Sequence, residues 1–134
     1  MKILIPIDGS ERSMKSFDTL KSMYKPEDVS VTVMHVDEVV IYGGIDLTAE
    51  RMEISKEISQ DILNKACERI SEFNPDKCYA VGYPHKEILE KAKEGYDMII
   101  MTKSGKSGLD RLLIGSVTTK IIHKSNINVL IVPN

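Results

Sequence analysis

The stretch MTKSGKSGLDRLLIGSV, residues 101–117, holds three glycines (Gly105, Gly108, Gly115), three serines (Ser104, Ser107, Ser116) and three basic residues (Lys103, Lys106, Arg111). These are the residue types of an anion cradle. Glycine lets backbone N–H groups come close to an anion, hydroxyls add donors and the basic side chains add charge. The same composition also suits a basic loop capped by Ser116, and local composition leaves both readings open. The known phosphate signatures do not match. A Walker A loop needs a glycine five positions before Gly105, where Ile100 stands, and no spacing of the three glycines makes GxGxxG. In Gly105-Lys106-Ser107-Gly108 the second glycine comes one residue too early for GxSxG.

The other candidates are sparser. Asp8-Gly9-Ser10 puts a carboxylate beside a hydroxyl, either next to a ligand or as a turn that caps the first helix. His35, His85 and His123 have no metal-ligand spacing, and His35 reads as a partly exposed strand-end residue. Ser10 and Ser107 have no evident activating base, so no catalytic residue is assigned. Cys67 and Cys78 lack CxxC spacing and read as reduced, partly buried thiols.

Alternating elements must position these groups. Apolar runs at 2–7, 29–36, 77–82, 97–102 and 128–133 read as five strands. Between them lie four helices. Met14, Phe17, Leu20 and Tyr24 mark the first, which Pro26 closes. Thr48 caps a long second helix to about residue 73, with Ile54, Ile58, Ile62, Ala66 and Ile70 on one face. Pro84 opens a third that Gly95 ends, and a fourth runs from Ser116 to about Lys124. Residues 37–47 read as a loop in which Val39, Val40, Ile41 and Tyr42 suit a mobile lid, a partner contact or a longer strand. Met14, Met23, Met34, Met98 and Met101 read as core fillers. Strand–helix alternation with near-continuous apolar strands predicts a single-domain α/β fold over residues 1–134: a five-stranded parallel sheet with helices on both faces. In the order 3-2-1-4-5, Asp8-Gly9-Ser10 and residues 102–108 become neighbours across the switch point, where such sheets bind ligands.

Nearly the whole chain resembles the universal stress proteins, of the adenine-nucleotide alpha-hydrolase-like class. The carrying segments are KILIPIDGSERS, VTVMHVDE, VGYPHKEILEKA and YDMIIMTKSGKSGLDRLLIGSVTTKIIHKSNINVLIVP. ATP-binding members carry Gly-x2-Gly-x9-Gly-Ser/Thr. Here Gly105, Gly115 and Ser116 match, and Thr102 replaces the first glycine. A positive φ at that position would strain threonine, whereas an ordinary φ would not. By this resemblance adenine would lie at Val36 and the ribose near Pro6 and Asp8. The phosphates would lie among Thr102, Lys103, Ser104, Gly105, Lys106, Ser107 and Gly108, and at Ser116, Val117 and Thr118, with Met101 and Gly115 in the same cofactor-binding set. No metal site made by protein alone is expected. Mg²⁺ would enter with ATP, with Asp8 as one ligand. The resemblance implies a stress-response protein that binds ATP as a regulatory or sensing module, at most a weak ATPase. The alternative is a nucleotide-independent protein acting through protein–protein contacts with an unidentified partner. A small-molecule or nucleotide hydrolase is a weaker third class. The resemblance also implies a homodimer paired through Val129, Leu130, Ile131 and Val132 of the last strand.

Composition agrees with a soluble domain. Of 134 residues, 42% are apolar and 28% charged, and the net charge of -2 gives nucleic acid no electrostatic hold. No window is apolar enough to span a bilayer, and Asp8 interrupts the short apolar N-terminus, so no signal peptide is read and a cytoplasmic location is expected.

Overall fold

The computed structural model describes residues 1–105 and 113–133. Its strands are β1 (Lys2–Ile7), β2 (Ser30–Asp37), β3 (Asp76–Val81), β4 (Met98–Thr102) and β5 (Asn128–Val132). Its α-helices are α1 (Lys15–Met23), α2 (Val39–Tyr42), α3 (Ala49–Arg69), α4 (Pro84–Ala92) and α5 (Ser116–Lys124). The strands form one sheet in the order β3-β2-β1-β4-β5, and every pairing is parallel.

The central strands are buried on both sides, as their unbroken apolar sequence requires. Ile3, Ile5 and Ile7 of β1 join Val31 and Val33 of β2 under α1 and α3, with Phe17, Leu20, Leu63, Ala66 and Ile70. Leu4 and Met34 face the other way and pack with Ile88 and Ala92 of α4 and Ile121 of α5. A polar link crosses that second layer, where Tyr96 Oη donates to Thr32 Oγ1 at 2.8 Å.

Four expectations need correction. Residues 39–42 form the short helix α2, followed by a 3₁₀ turn at 44–46, in place of a loop or a longer β2. The α3 stripe is buried at Ala66 and Ile70, but Ile54 and Ile58 are exposed. A strict i+4 row drifts about 40° per step around a helix of 3.6 residues per turn, so it leaves the core face. The buried positions are Ser59, Leu63, Ala66 and Cys67. Met23 is exposed and fills no core. Gly115, not Ser116, is the N-cap of α5. Thr48 does cap α3, its Oγ1 accepting from the Arg51 N–H at 3.1 Å.

Candidate functional site

The carboxyl ends of β1, β2 and β4 enclose a cavity of about 410 Å³, a size typical of small-ligand sites. It lies where the strand order reverses. Pro6, Ile7 and Asp8 come from the β1 end, and Met34, His35 and Val36 from β2. The β4 end supplies Met101, Thr102, Ser104 and Gly105. Gly115, Ser116, Val117 and Thr118 close it from the start of α5, and Glu38 and Tyr42 stand at α2.

Short polar contacts hold the β1 turn. Gly9 has φ +86°, a conformation that glycine adopts without strain. Asp8 Oδ1 accepts from the Ser10 N–H at 3.0 Å and from Ser10 Oγ at 2.6 Å. Ser10 Oγ in turn accepts from the Ser13 N–H at 3.1 Å. Asp8 is therefore a turn residue and a cavity residue together. A Cβ built on Gly105 would collide with Asp8 Oδ2, so glycine at 105 is what allows the carboxylate to sit there.

The β4 end is tied to α5. The Gly115 N–H donates to the Lys103 carbonyl at 2.9 Å, and Thr118 Oγ1 donates to the Thr102 carbonyl at 3.0 Å. The N-terminus of α5 therefore faces the cavity with no side-chain cap at Gly115. The first-turn amides of a helix have no intrahelical acceptor, and its dipole places positive potential there. Thr102 has an ordinary backbone: Asn74 alone among the described non-glycine residues has positive φ. The Thr102 hydroxyl donates to the Ser104 carbonyl at 2.9 Å.

Among the described residues the carboxylates lining the cavity are Asp8 and Glu38, and no Lys or Arg lines it. No three His, Cys, Asp or Glu side chains of the described residues cluster as a metal site. A divalent cation would need oxygens from a ligand besides Asp8.

A model of the Universal stress protein family matches residues 1–133. The chain belongs to that family. Universal stress protein YxiE of Bacillus subtilis is 33% identical over 144 residues, covering 98% of this chain and 97% of that protein. Universal stress protein MJ0577 of Methanocaldococcus jannaschii is 34% identical over 158 residues, covering 98% and 93%. Its solved structure matches this fold with a TM-score of 0.80 over 98% of this chain and 94% of that one, at 31% identity. Two solved structures show the fold alone. An Arabidopsis thaliana member with AMP bound is 16% identical, has a TM-score of 0.71 and is covered to 90%; it matches 98% of this chain. A universal stress protein in complex with cAMP is 20% identical, has a TM-score of 0.73 and is covered to 95%, also matching 98% of this chain.

In this universal stress protein the cavity gathers most of the positions expected from sequence. Lys103 is not among the lining residues; its backbone pairs with Val132 and Gly115. Lys106, Ser107, Gly108 and Arg111 lie outside the described residues. His35 is buried at 6% exposure, against the expectation of a partly exposed residue. Met34 and Met101 line the cavity besides filling core. Tyr42, weighed from sequence as part of a lid, lines the cavity, whereas sequence reading missed Glu38, Pro84 and Ile88 as lining residues. The available signal for Glu38 was position, because a segment leaving β2 at the switch point must cross the crevice.

Asp37 was missed altogether. This carboxylate is 5% exposed. Its Oδ1 accepts from the Val39 N–H at 3.0 Å and from Ser55 Oγ at 2.8 Å, and Oδ2 accepts from Tyr79 Oη at 3.1 Å. It pins α2, α3 and β3 together and so sets where Glu38 and Tyr42 stand. Burial, then the Asp37 hydrogen bond and negative charge, push the Tyr79 phenol from 10.0 up to about 12. Burial also raises the thiols of Cys67 and Cys78, keeping them protonated near neutral pH.

Proposed function

We propose that this universal stress protein binds an adenine nucleotide, ATP in the first instance, as a regulatory or sensing module. The uncapped N-terminus of α5 facing the switch-point cavity carries the reading. Such a terminus favours a phosphate, and the adenosine would occupy the apolar end between Val36, Met34 and Met101. Phosphates would meet the backbone of Ser116, Val117, Thr118 and Gly105, with Mg²⁺ at Asp8 offsetting carboxylate–phosphate repulsion. AMP and cAMP in the two distant structures support adenine nucleotides as ligands of this fold. The ordinary backbone of Thr102 and its hydroxyl bond within the loop favour tolerance of threonine there. The reading takes any hydrolysis to be slow, since no nucleophile with its activating base is assigned. A cytoplasmic location and a homodimer paired through β5 belong to the same proposal.

Calorimetric titration with ATP and Mg²⁺, after stripping carried-over nucleotide, tests it. The expected result is binding at micromolar Kd, about −8 kcal/mol, lost in Gly115→Asp. That variant is expected to keep its fold. Gly115 has φ −62° and ψ 155°, an ordinary N-cap backbone. A Cβ there meets only ordinary contacts, the nearest being Ser104 Cα at 3.4 Å. Aspartate is a favourable N-cap, so the melting temperature should hold or rise while a carboxylate takes the anion seat. No heat from the wild type would overturn the proposal.

One observation favours a second reading. Tyr42, Ile45, Ile54 and Ile58 are exposed around α2 and the first half of α3, a surface suited to protein contact without nucleotide.

A further inference from the structure

Helices α4 and α5 pack side by side on one face of the sheet, with Ile88, Ala92 and Ile121 buried beneath them. Their outer surface gathers cations. Lys86 is exposed in the first turn of α4, its Nζ 5.1 Å from the centre of the Tyr83 ring, which in turn lies 6.2 Å from the His85 ring. Lys120 and Lys124 are exposed one turn apart on α5, a helix whose sequence, SVTTKIIHK, has no carboxylate. All three lysines bear on one imidazole. Burial first, then the charges of Lys120, Lys124 and Lys86, hold His85 below the ordinary histidine pKa. Lysines of α5 thus act on a side chain of α4, and the two helices present a single positive face.

The carboxylates of α4 are engaged elsewhere. Glu87 lies against Gly82 just beyond β3, and Glu90 pairs with Lys93. Among the described residues Lys86, Lys120 and Lys124 make no ion pair. Lys86 also stands at a helix N-terminus, where the dipole is already positive. Like charges held together repel, and carboxylates placed among them relieve that repulsion. We infer that the α4–α5 face docks an acidic segment of a partner protein, its carboxylates meeting Lys86, Lys120 and Lys124. The chain carries a net charge of -2, so the patch is local, and the molecule as a whole repels a nucleic acid polyanion. Pro84 and Ile88 of α4 line the switch-point cavity, whereas the three lysines do not, so the inference stands independently of the nucleotide reading.

The test uses the full chain, a glutamate–serine peptide as probe, and NMR titration of the His85 ring, assigned with His85→Gln. Carboxylates over the lysines offset the charge that depresses the imidazole, so the peptide should raise the His85 pKa, and a lysine–serine peptide should not. Lys86→Gln/Lys120→Gln/Lys124→Gln, its fold verified by melting temperature, should raise the His85 pKa in the free protein. The same variant should weaken the acidic peptide about tenfold or more. Wild-type affinity should also fall as salt rises. A His85 pKa that the acidic peptide leaves unmoved, or an affinity that the variant keeps, overturns the inference. An RNA oligonucleotide of equal charge that binds this face more tightly than the peptide overturns it as well, by making the face a nucleic-acid surface.

Discussion

Gly105 and Asp8 form a contact pair in which each residue explains the other. The carboxylate occupies the space that any Cβ at 105 would need. Gly105→Ala therefore displaces Asp8 from its hydrogen bonds to Ser10, and destabilisation of about 1.5–3 kcal/mol is expected, in the range of a lost charged hydrogen bond. Asp8→Ala costs some of the same contacts, but in that background Gly105→Ala has no carboxylate to meet. The double-mutant cycle should be non-additive, the pair costing less than the sum of the singles. Urea denaturation of the four proteins measures it. Additive effects would mean that the alanine at 105 strains something other than Asp8.

At the scale of elements, Asp37 joins three of them through one buried carboxylate. Its pH signature lies with its partner Tyr79. An acid whose folded pKa is raised binds its proton more tightly when folded, so the stability it contributes is whole below the unfolded value of 10.0. It is lost as pH rises from there through about 12. Stability of the wild type should fall across that window, and Tyr79→Phe should flatten this part of the profile. Denaturant midpoints between pH 9 and 12 decide it, and parallel profiles for the two proteins would contradict the assignment. The strands that frame this network were legible in the sequence, because strands buried on both faces are written as plain apolar runs such as ILIPI and MIIM. The start of α5 was legible for another reason: Gly115-Ser116 follows the loop and begins a new apolar period. Helix α2 was not, since four residues are too few to show a helical period. Nor was Asp37, whose partners Ser55 and Tyr79 come from distant parts of the chain and meet only once the sheet is assembled.

At the scale of the molecule, the sheet ends in two edges, β3 and β5. The β5 edge carries Val129, Leu130 and Ile131 half-buried, and an apolar edge strand invites pairing. A homodimer through β5 is the expected state, with a sedimentation mass twice that of the chain. Lysine at both Val129 and Ile131 should shift it to monomer. A wild-type monomer at micromolar concentration would contradict the expectation.

The central claim concerns the place where a nucleotide sits, so the most direct measurement follows backbone amide resonances during titration with ATP and Mg²⁺. The account predicts the largest shifts at Gly105, Ser116, Val117 and Thr118, with smaller ones at Val36 and Met101. Shifts confined to Ile45, Ile54 and Ile58, or no shifts at saturating nucleotide, would contradict it.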